Sequence, residues 1–244
     1  MSEKAKKVYV TSPTGVAVYP HLLEMDSYQL KEHRKKEFNT GLLLNPENEA
    51  DAAFIAQLDA LAAEAFEDAK AQLQAKIDSP DTKGKDKASA KQALAGLELH
   101  IPYKPEYDDE GDETGKVIVH TKCMAGGTDK KTGKDWTKTL PIFDANGQPV
   151  TTQDRTEMKL WGGSQIAFSA EVFPFVAEGL KLGGISLRLQ AAQVIEANGG
   201  GNRSADSFGF GVVEGGFTTN NFTNAASGDT GSDAEEEAAV DDDF

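Results

Sequence analysis

The sequence predicts a mainly β chain with one inserted helical block and an anionic C-terminal tail. Three observations support this fold class. Clusters of β-branched and aromatic residues recur between Gly, Pro and Asn turn residues. One Ala-rich block repeats its apolar residues with the period of a helix. The last 41 residues contain ten acidic residues and no basic one, and such a segment cannot offset the entropy lost on ordering.

The N-terminal half supplies strands and the helical block. Lys7–Val10 and Val16–Tyr19 are strand candidates on either side of a Ser-Pro-Thr-Gly turn. Phe38–Leu44 is the next strand candidate. From Glu49 to Ile77 the apolar residues follow a helical period, and residues 90–97 are compatible with a short second helix. The helical block is therefore predicted to lie between strands.

The C-terminal half is predicted to be β-structure followed by a tail. Residues 116–124 and 159–175 are strand candidates, and residues 184–196 alternate apolar and polar residues through Ile185, Leu187 and Leu189. The sequence thus predicts about five or six strands and one or two helices. We predict three regions: a folded domain over 1–197, a Gly/Asn-rich linker over 198–224 and a disordered acidic tail over 225–244.

The net charge of −15 is unevenly distributed along the chain. It results from 40 Asp and Glu against 25 Lys and Arg. Arg203 is the last basic residue, and removing the ten acids after it leaves 30 acids against 25 bases, or −5, for residues 1–203. The chain is therefore a mildly acidic body with a strongly anionic tail.

Several classes of protein are excluded by the composition. The single cysteine, Cys123, cannot form an internal disulfide or a thiolate metal cluster. No apolar run approaches the roughly 18–20 residues of a membrane helix, and the N-terminus does not lead into a signal-peptide core. We expect a soluble protein that is neither secreted nor bound to a membrane.

The sequence shows no catalytic motif. Its four histidines stand outside HExxH and HxH patterns, and no serine occupies a GxSxG frame. The acidic cluster of residues 108–113 is the strongest metal candidate, but it lacks the spacing of a calcium loop, and adjacent acids of this kind usually form a solvated turn. We predict no enzymatic activity, no metal and no cofactor.

Two local basic clusters favour nucleic-acid binding. Residues 116–138 contain six lysines and two acids, a local charge of +4, with Trp136 among them. Residues 31–36 form a second cluster beside Phe38. Cations that follow the phosphates, combined with aromatic faces that stack on bases, are what a single-strand groove requires. The alternative is that these lysines are ordinary solvated surface and the aromatic residues belong to the core.

The tail offers a mechanism that is consistent with binding. A flexible run of carboxylates resembles single-stranded nucleic acid electrostatically, so it could occupy the basic groove until a strand displaces it. The four C-terminal residues would also suit docking on a partner protein, with carboxylates on a basic patch and the aromatic ring in an apolar pocket. These residues are Asp241, Asp242, Asp243 and Phe244.

An ordered set of short motifs resembles the single-stranded DNA-binding proteins of tailed bacteriophages. The set covers about residues 7–197 and the tail. In order, it comprises Tyr19-Pro20-His21, Phe38–Leu44 ending at Asn45-Pro46, the helix, Tyr103-Lys104-Pro105-Glu106-Tyr107, the lysine strand, Pro141-Ile142-Phe143-Asp144, Leu160-Trp161-Gly162-Gly163, residues 184–196 and a terminal Phe.

This resemblance implies an OB-fold, a five-stranded Greek-key barrel with helical additions. It also implies binding of single-stranded DNA in replication, recombination and repair, contacts of the tail with a polymerase, helicase or primase, a possible homodimer, and a location in the cytoplasm of the host. The barrel strands would lie near residues 7–19, 37–44, 116–124, 159–175 and 184–196. The loops of residues 20–36 and 125–138 would border the groove.

Local charge and aromaticity then select the DNA-binding candidates. The candidates for base stacking are Phe38, Tyr103, Tyr107 and Trp136. The candidates for phosphate contacts are Lys31, Arg34, Lys35, Lys104, Lys122, Lys130, Lys131 and Lys134. Trp161 is compatible with either the groove or the core.

Two other classes of protein remain as alternatives. One is a non-enzymatic virion protein or an acidic-tailed protein that binds basic partners, in which the lysine loops are solvated surface. The other is a metal-dependent nuclease that uses residues 108–113. Binding of oligo(dT) by a tail-less form separates the first alternative from the DNA-binding hypothesis, and magnesium-dependent cleavage of a strand would support the second.

Overall fold

The computed structural model describes residues 7–24 and 37–199. The linker beyond residue 199, the tail and most of the 20–36 loop lie outside the described residues. The elements are, in chain order, β1 (Val8–Thr11), β2 (Gly15–His21), β3 (Glu37–Leu44), α1 (Glu49–Asp78), α2 (Gly84–Ala95), β4 (Glu98–His100), β5 (Tyr103–Tyr107), β6 (Glu113–Met124), β7 (Gly126–Thr128), β8 (Asp135–Thr137), β9 (Ile142–Phe143), α3 (Thr152–Glu157), β10 (Gln165–Ala177) and β11 (Leu182–Glu196).

Five of these strands close into a barrel. β3 pairs antiparallel with both β2 and β6. β6 pairs parallel with β11, which pairs antiparallel with β10. β10 returns to β2 in antiparallel pairing and closes the ring. This order of strands, with one parallel pair, is the Greek-key barrel of an OB-fold, and the predicted fold class is confirmed.

Most predicted elements match the structure closely. All five predicted barrel strands are present, and the predicted helix of residues 49–77 is α1. Two boundaries differ by six residues, and the others differ by less. β10 begins at residue 165 rather than 159 because Gly162 and Gly163 form a turn, in which Gly163 has a φ of 91°. α2 begins at Gly84 rather than at residue 90, where the short second helix was predicted to start.

α1 closes one end of the barrel. Asn48 caps its start, since its side-chain oxygen accepts the Ala50 N–H at 3.0 Å. The residues of its buried face recur at helical spacing, and the helix packs against β4, β10 and β11. The Phe54 and Phe168 rings meet edge to face at 6.2 Å. Gly183 permits this close approach, because a Cβ there would lie 2.9 Å from the Cβ of Ala69.

The barrel core contains the alternate residues of each strand. On β3, the inward residues Phe38, Thr40, Leu42 and Leu44 are buried, and the residues between them face outward.

Among the residues that the structure describes, no helix is both long enough and apolar enough to cross a membrane.

Candidate nucleic-acid interface

A row of polar side chains crosses the outer face of four adjacent barrel strands. His21 of β2 is paired with Asn39 of β3, and Asn39 is paired with Lys122 of β6. Lys122 is in turn paired with Arg188 of β11. Strands of a sheet are about 4.8 Å apart, so these four residues extend over roughly 15 Å. We call them the polar row.

The two cations of the polar row are held in different ways. The Lys122 ammonium forms an ion pair with Glu37 at 3.1 Å, and its side chain remains 66% exposed. The Arg188 guanidinium carbon lies 3.2 Å from the centroid of the Phe173 ring. This cation–π contact fixes the guanidinium plane without consuming its hydrogen-bond donors. The Lys122 ammonium would therefore share its three donors between Glu37 and a bound anion, whereas Arg188, for whose side chain the described part of the chain shows no hydrogen-bond acceptor, presents its donors from an oriented plane.

A second line of residues lies beside the polar row, nearer to α1. Gly41 of β3 is opposite His120 of β6, and a Cβ at Gly41 would lie 2.8 Å from Cγ2 of Ile118. The missing side chain therefore leaves room for Ile118 and Val18, and Gly41 is buried beneath them. Lys104 of β5 is opposite Ile118 and is exposed. Partial burial, together with the charge of Lys104, lowers the pKa of His120 from its usual value of 6.5. His120 is thus a neutral polar group at neutral pH.

The lysine-rich segment of residues 125–138 folds into a β-hairpin. β7 pairs with β8 in antiparallel register, with Gly127 opposite Trp136. Asp129 organises the hairpin tip, because its carboxylate accepts the backbone N–H groups of Lys131 at 2.7 Å and Thr132 at 3.0 Å. These hydrogen bonds lower the pKa of Asp129. The tip therefore holds Lys130, Lys131 and Lys134 in an ordered turn, with all three exposed.

Trp136 presents one face of its ring from this hairpin. A Cβ at Gly127 would lie 3.3 Å from the indole Nε1 and 3.4 Å from Cε2 and Cζ2. The indole therefore lies against the bare backbone of Gly127, and Trp136 is 40% exposed. A supported ring with an open face is a suitable platform for stacking a base.

Two of the predicted stacking residues have rings that are engaged in packing within the fold instead. Phe38 is only 5% exposed and packs inside the barrel, so the prediction that it stacks on bases is wrong. Its position in the inward set of β3 is the physical reason. Tyr103 packs against the core, and its hydroxyl donates to the Asp59 carboxylate of α1 at 2.6 Å. Burial, this hydrogen bond and the Asp59 charge raise its pKa to about 12. Its ring is committed to the helix side of β5.

Tyr107 is exposed but lies in acidic surroundings. Its hydroxyl donates to Glu113 at 3.2 Å, which raises its pKa. The adjoining turn is organised by Asp108, whose carboxylate accepts the N–H groups of Glu110 and Asp112 at 2.9 Å each. In the described residues, no group of three or more His, Cys, Asp and Glu is arranged to hold a metal ion.

The structure thus brings together part of the predicted site. Lys104 and Lys122 share the outer face, and the hairpin that follows β6 carries three more lysines and Trp136. Seven predicted residues lie outside the described ranges. They are Lys31, Arg34 and Lys35 of the β2–β3 connection and Asp241, Asp242, Asp243 and Phe244 of the tail.

Two exposed residues on or beside the polar row, Arg188 and Tyr19, were not among the DNA-binding candidates selected from the sequence. A signal for Arg188 was available, because the inward alternation of Ile185, Leu187 and Leu189 requires residue 188 to face outward. Trp161, which the sequence left between groove and core, is 57% exposed and belongs to the surface.

The chain is similar in structure to single-stranded DNA-binding proteins of bacteriophages. It aligns with gp2.5, a single-stranded DNA-binding protein encoded by bacteriophage T7, at a TM-score of 0.59 and 18% identity, over 87% of this chain and 99% of that one. The C-terminally truncated single-stranded DNA-binding protein of bacteriophage Enc34 aligns at a TM-score of 0.45 and 11% identity, over 81% of this chain and 98% of that one. The Enc34 protein in complex with single-stranded DNA aligns at a TM-score of 0.43 and 13% identity, over 81% of this chain and 94% of that one.

No family model and no curated protein matches the sequence. The resemblance to phage single-stranded DNA-binding proteins that the motifs predict is confirmed at the level of the fold.

Proposed function

We propose that this chain is a sequence-independent single-stranded DNA-binding protein of a bacteriophage, acting without enzymatic activity in the host cytoplasm. The observation that carries the proposal is the polar row. It places Lys122 of β6, the third barrel strand, beside Arg188 of β11, the fifth, and in this fold the face of the second and third strands binds oligonucleotides. The lysine hairpin with Trp136 continues from the end of the same strand, β6.

Binding in this proposal rests on two interactions that do not distinguish one base from another. Lysine and arginine side chains contact phosphates and release the counterions condensed on the strand. Trp136 stacks on a base through a π-face that every base possesses. The proposed role is the protection of single strands in replication, recombination and repair.

The acidic tail is proposed to compete with DNA and to recruit replication proteins. Residues 225–244 carry eight acids and no base, which supports competition for the same cations. The run Asp241–Asp243 with Phe244 would contact a polymerase, helicase or primase. A homodimer is part of the same hypothesis.

Titration of a fluorescent oligo(dT) strand at two salt concentrations tests the proposal. The full-length protein and a form lacking residues 225–244 are compared. We expect tight binding at low salt, a steep loss at high salt, and tighter binding by the tail-less form. Absence of binding by the tail-less form at low salt refutes the proposed function. Unchanged or weaker binding after truncation refutes tail competition alone.

A further inference from the structure

Tyr19 is held in an unfavourable backbone conformation with its ring in solvent. Its φ is 46°, and among the described residues only Lys181 is another non-glycine residue with positive φ. The left-handed region is a genuine outlier for a bulky side chain. The ring does not gain burial in exchange, because Tyr19 is 83% exposed. An outlier of this kind points to a function outside the packing of the fold.

The cause of the conformation is an irregularity in the pairing of β2 with β3. The register between the two strands shifts between Val18 and His21. Tyr19 lies inside this shift and is followed by Pro20, which lacks an N–H for the ladder. The chain therefore bends at Tyr19 and returns at His21, the first member of the polar row. Tyr19 is thereby placed at the β2 end of that row.

Trp161 lies on a neighbouring turn that is firmly anchored. Its backbone N–H donates to the Asn198 carbonyl at 2.9 Å, and its own carbonyl accepts the Ser164 hydroxyl at 2.8 Å. The Gly163 N–H donates to the Ala17 carbonyl at 2.9 Å, and a Cβ at Gly162 would lie 4.0 Å from the Tyr19 nitrogen. The two aromatic residues thus extend from backbone segments that are in contact, and both expose most of their surface.

We propose that Tyr19 and Trp161 form a subsite that stacks on unpaired bases of the strand whose phosphates lie along the polar row. This inference rests on the proposed function. β2 is two strand spacings from Lys122, or roughly 10 Å, which is within the span of about 4 to 16 nucleotides that one OB barrel covers. The row has its two cations at the β6 and β11 end and the exposed rings next to its β2 end, and a single strand offers both phosphates and bases to such a surface.

Two substitutions test the subsite in the full-length protein. Tyr19→Asn removes the ring, and Asn tolerates the left-handed conformation, so its melting temperature should not fall. Trp161→Ala removes the second ring and leaves the backbone hydrogen bonds in place. Each should weaken binding of oligo(dT) at low salt by about tenfold, with an unchanged salt slope, because no phosphate contact is lost. Leu180→Asn, at an exposed residue in the β10–β11 turn near α1, is the control and should bind like the wild type.

A strand without bases separates stacking from phosphate binding. The wild type should bind oligo(dT) more tightly than an abasic strand of equal length, and the double variant should lose that preference. Trp136→Phe leaves Trp161 as the only tryptophan, and oligo(dT) should quench its fluorescence.

Variants that bind oligo(dT) as the wild type does, and keep its preference over the abasic strand, overturn the inference. The same holds if Tyr19→Asn and Trp161→Ala change only the sedimentation of the free protein, since the pair would then be a contact between proteins. If the wild type binds neither strand at low salt, the proposed function itself fails.

Discussion

Glu37→Gln tests whether the ion pair on the polar row limits DNA binding. Glu37 is the first residue of β3, and its carboxylate lies 3.1 Å from the Lys122 ammonium. A phosphate that binds Lys122 must displace this carboxylate or lie close to it. The substitution removes the competing charge and keeps the size and shape of the side chain. We therefore expect tighter binding of single-stranded DNA.

The size of the effect follows from the exposure of the pair. The side chains of Lys122 and Glu37 are 66% and 25% exposed. Such a surface pair is worth about 0.2 to 1 kcal/mol. Since about 1.4 kcal/mol corresponds to a tenfold change in affinity, release of Lys122 should tighten binding by up to about fivefold. The gain should shrink as added salt screens the exposed charges.

The assay is fluorescence anisotropy of a labelled oligo(dT) strand over a range of salt concentrations. Glu67→Gln is the matched control, because Glu67 pairs with Lys70 at 2.7 Å on α1 and its substitution changes the net charge equally. We expect Glu67→Gln to leave the affinity nearly unchanged. Equal gains from both variants would show that the total charge matters and the local pair does not. No gain from Glu37→Gln would refute the role of Lys122 as a phosphate ligand restrained by Glu37.

Three further predictions follow from the same contacts. Lys122→Ala should reduce the slope of log affinity against log salt by about 0.7, whereas Lys85→Ala on α2, which is also exposed, should not alter that slope in the same titration. Tyr103→Phe should lower the free energy of unfolding by about 1 kcal/mol through loss of the Asp59 hydrogen bond. The pKa of Tyr103 is raised from 10 to about 12 in the folded protein, so this stabilisation is fully present below pH 10 and is lost as the pH rises towards 12. Urea denaturation over about pH 9 to 11 should show the onset of that loss in the wild type and not in the variant. The lowered pKa of His120 means that the unfolded chain binds its proton first, so stability should fall as the pH drops below 6.5. His120→Asn should reduce that loss, and Lys104→Met should raise the pKa of His120 in an NMR titration because part of its cause is removed.

The features that local patterns determine were predictable from sequence. The helical period from Glu49 specifies α1 within a few residues of its observed ends. The alternation of Ile185, Leu187 and Leu189 specifies which face of β11 is buried. The linker and the tail were inferred in the same way from composition, and they remain predictions.

Long-range pairing decided the composition of the site. Lys122 and Arg188 are 66 positions apart, and only the parallel pairing of β6 with β11 makes them neighbours. The assignment of Tyr103 failed for the same reason, because its hydroxyl reaches Asp59 of α1, 44 positions away. The assignment of Phe38 failed for another reason, because the local alternation of Phe38, Thr40, Leu42 and Leu44 already placed its ring inside the barrel.

The amino-acid sequence by itself determined the class of fold, the helix, the separation of charge between body and tail, and the lysine-rich segment that becomes the hairpin. These properties depend on residues close together in the chain, where the period and the composition express the physical preference directly. Closure of the barrel decided which cations share a face, which rings are supported or buried, and where Tyr19 is placed. Those outcomes arise from hydrogen bonds and packing between distant segments, which no local pattern encodes.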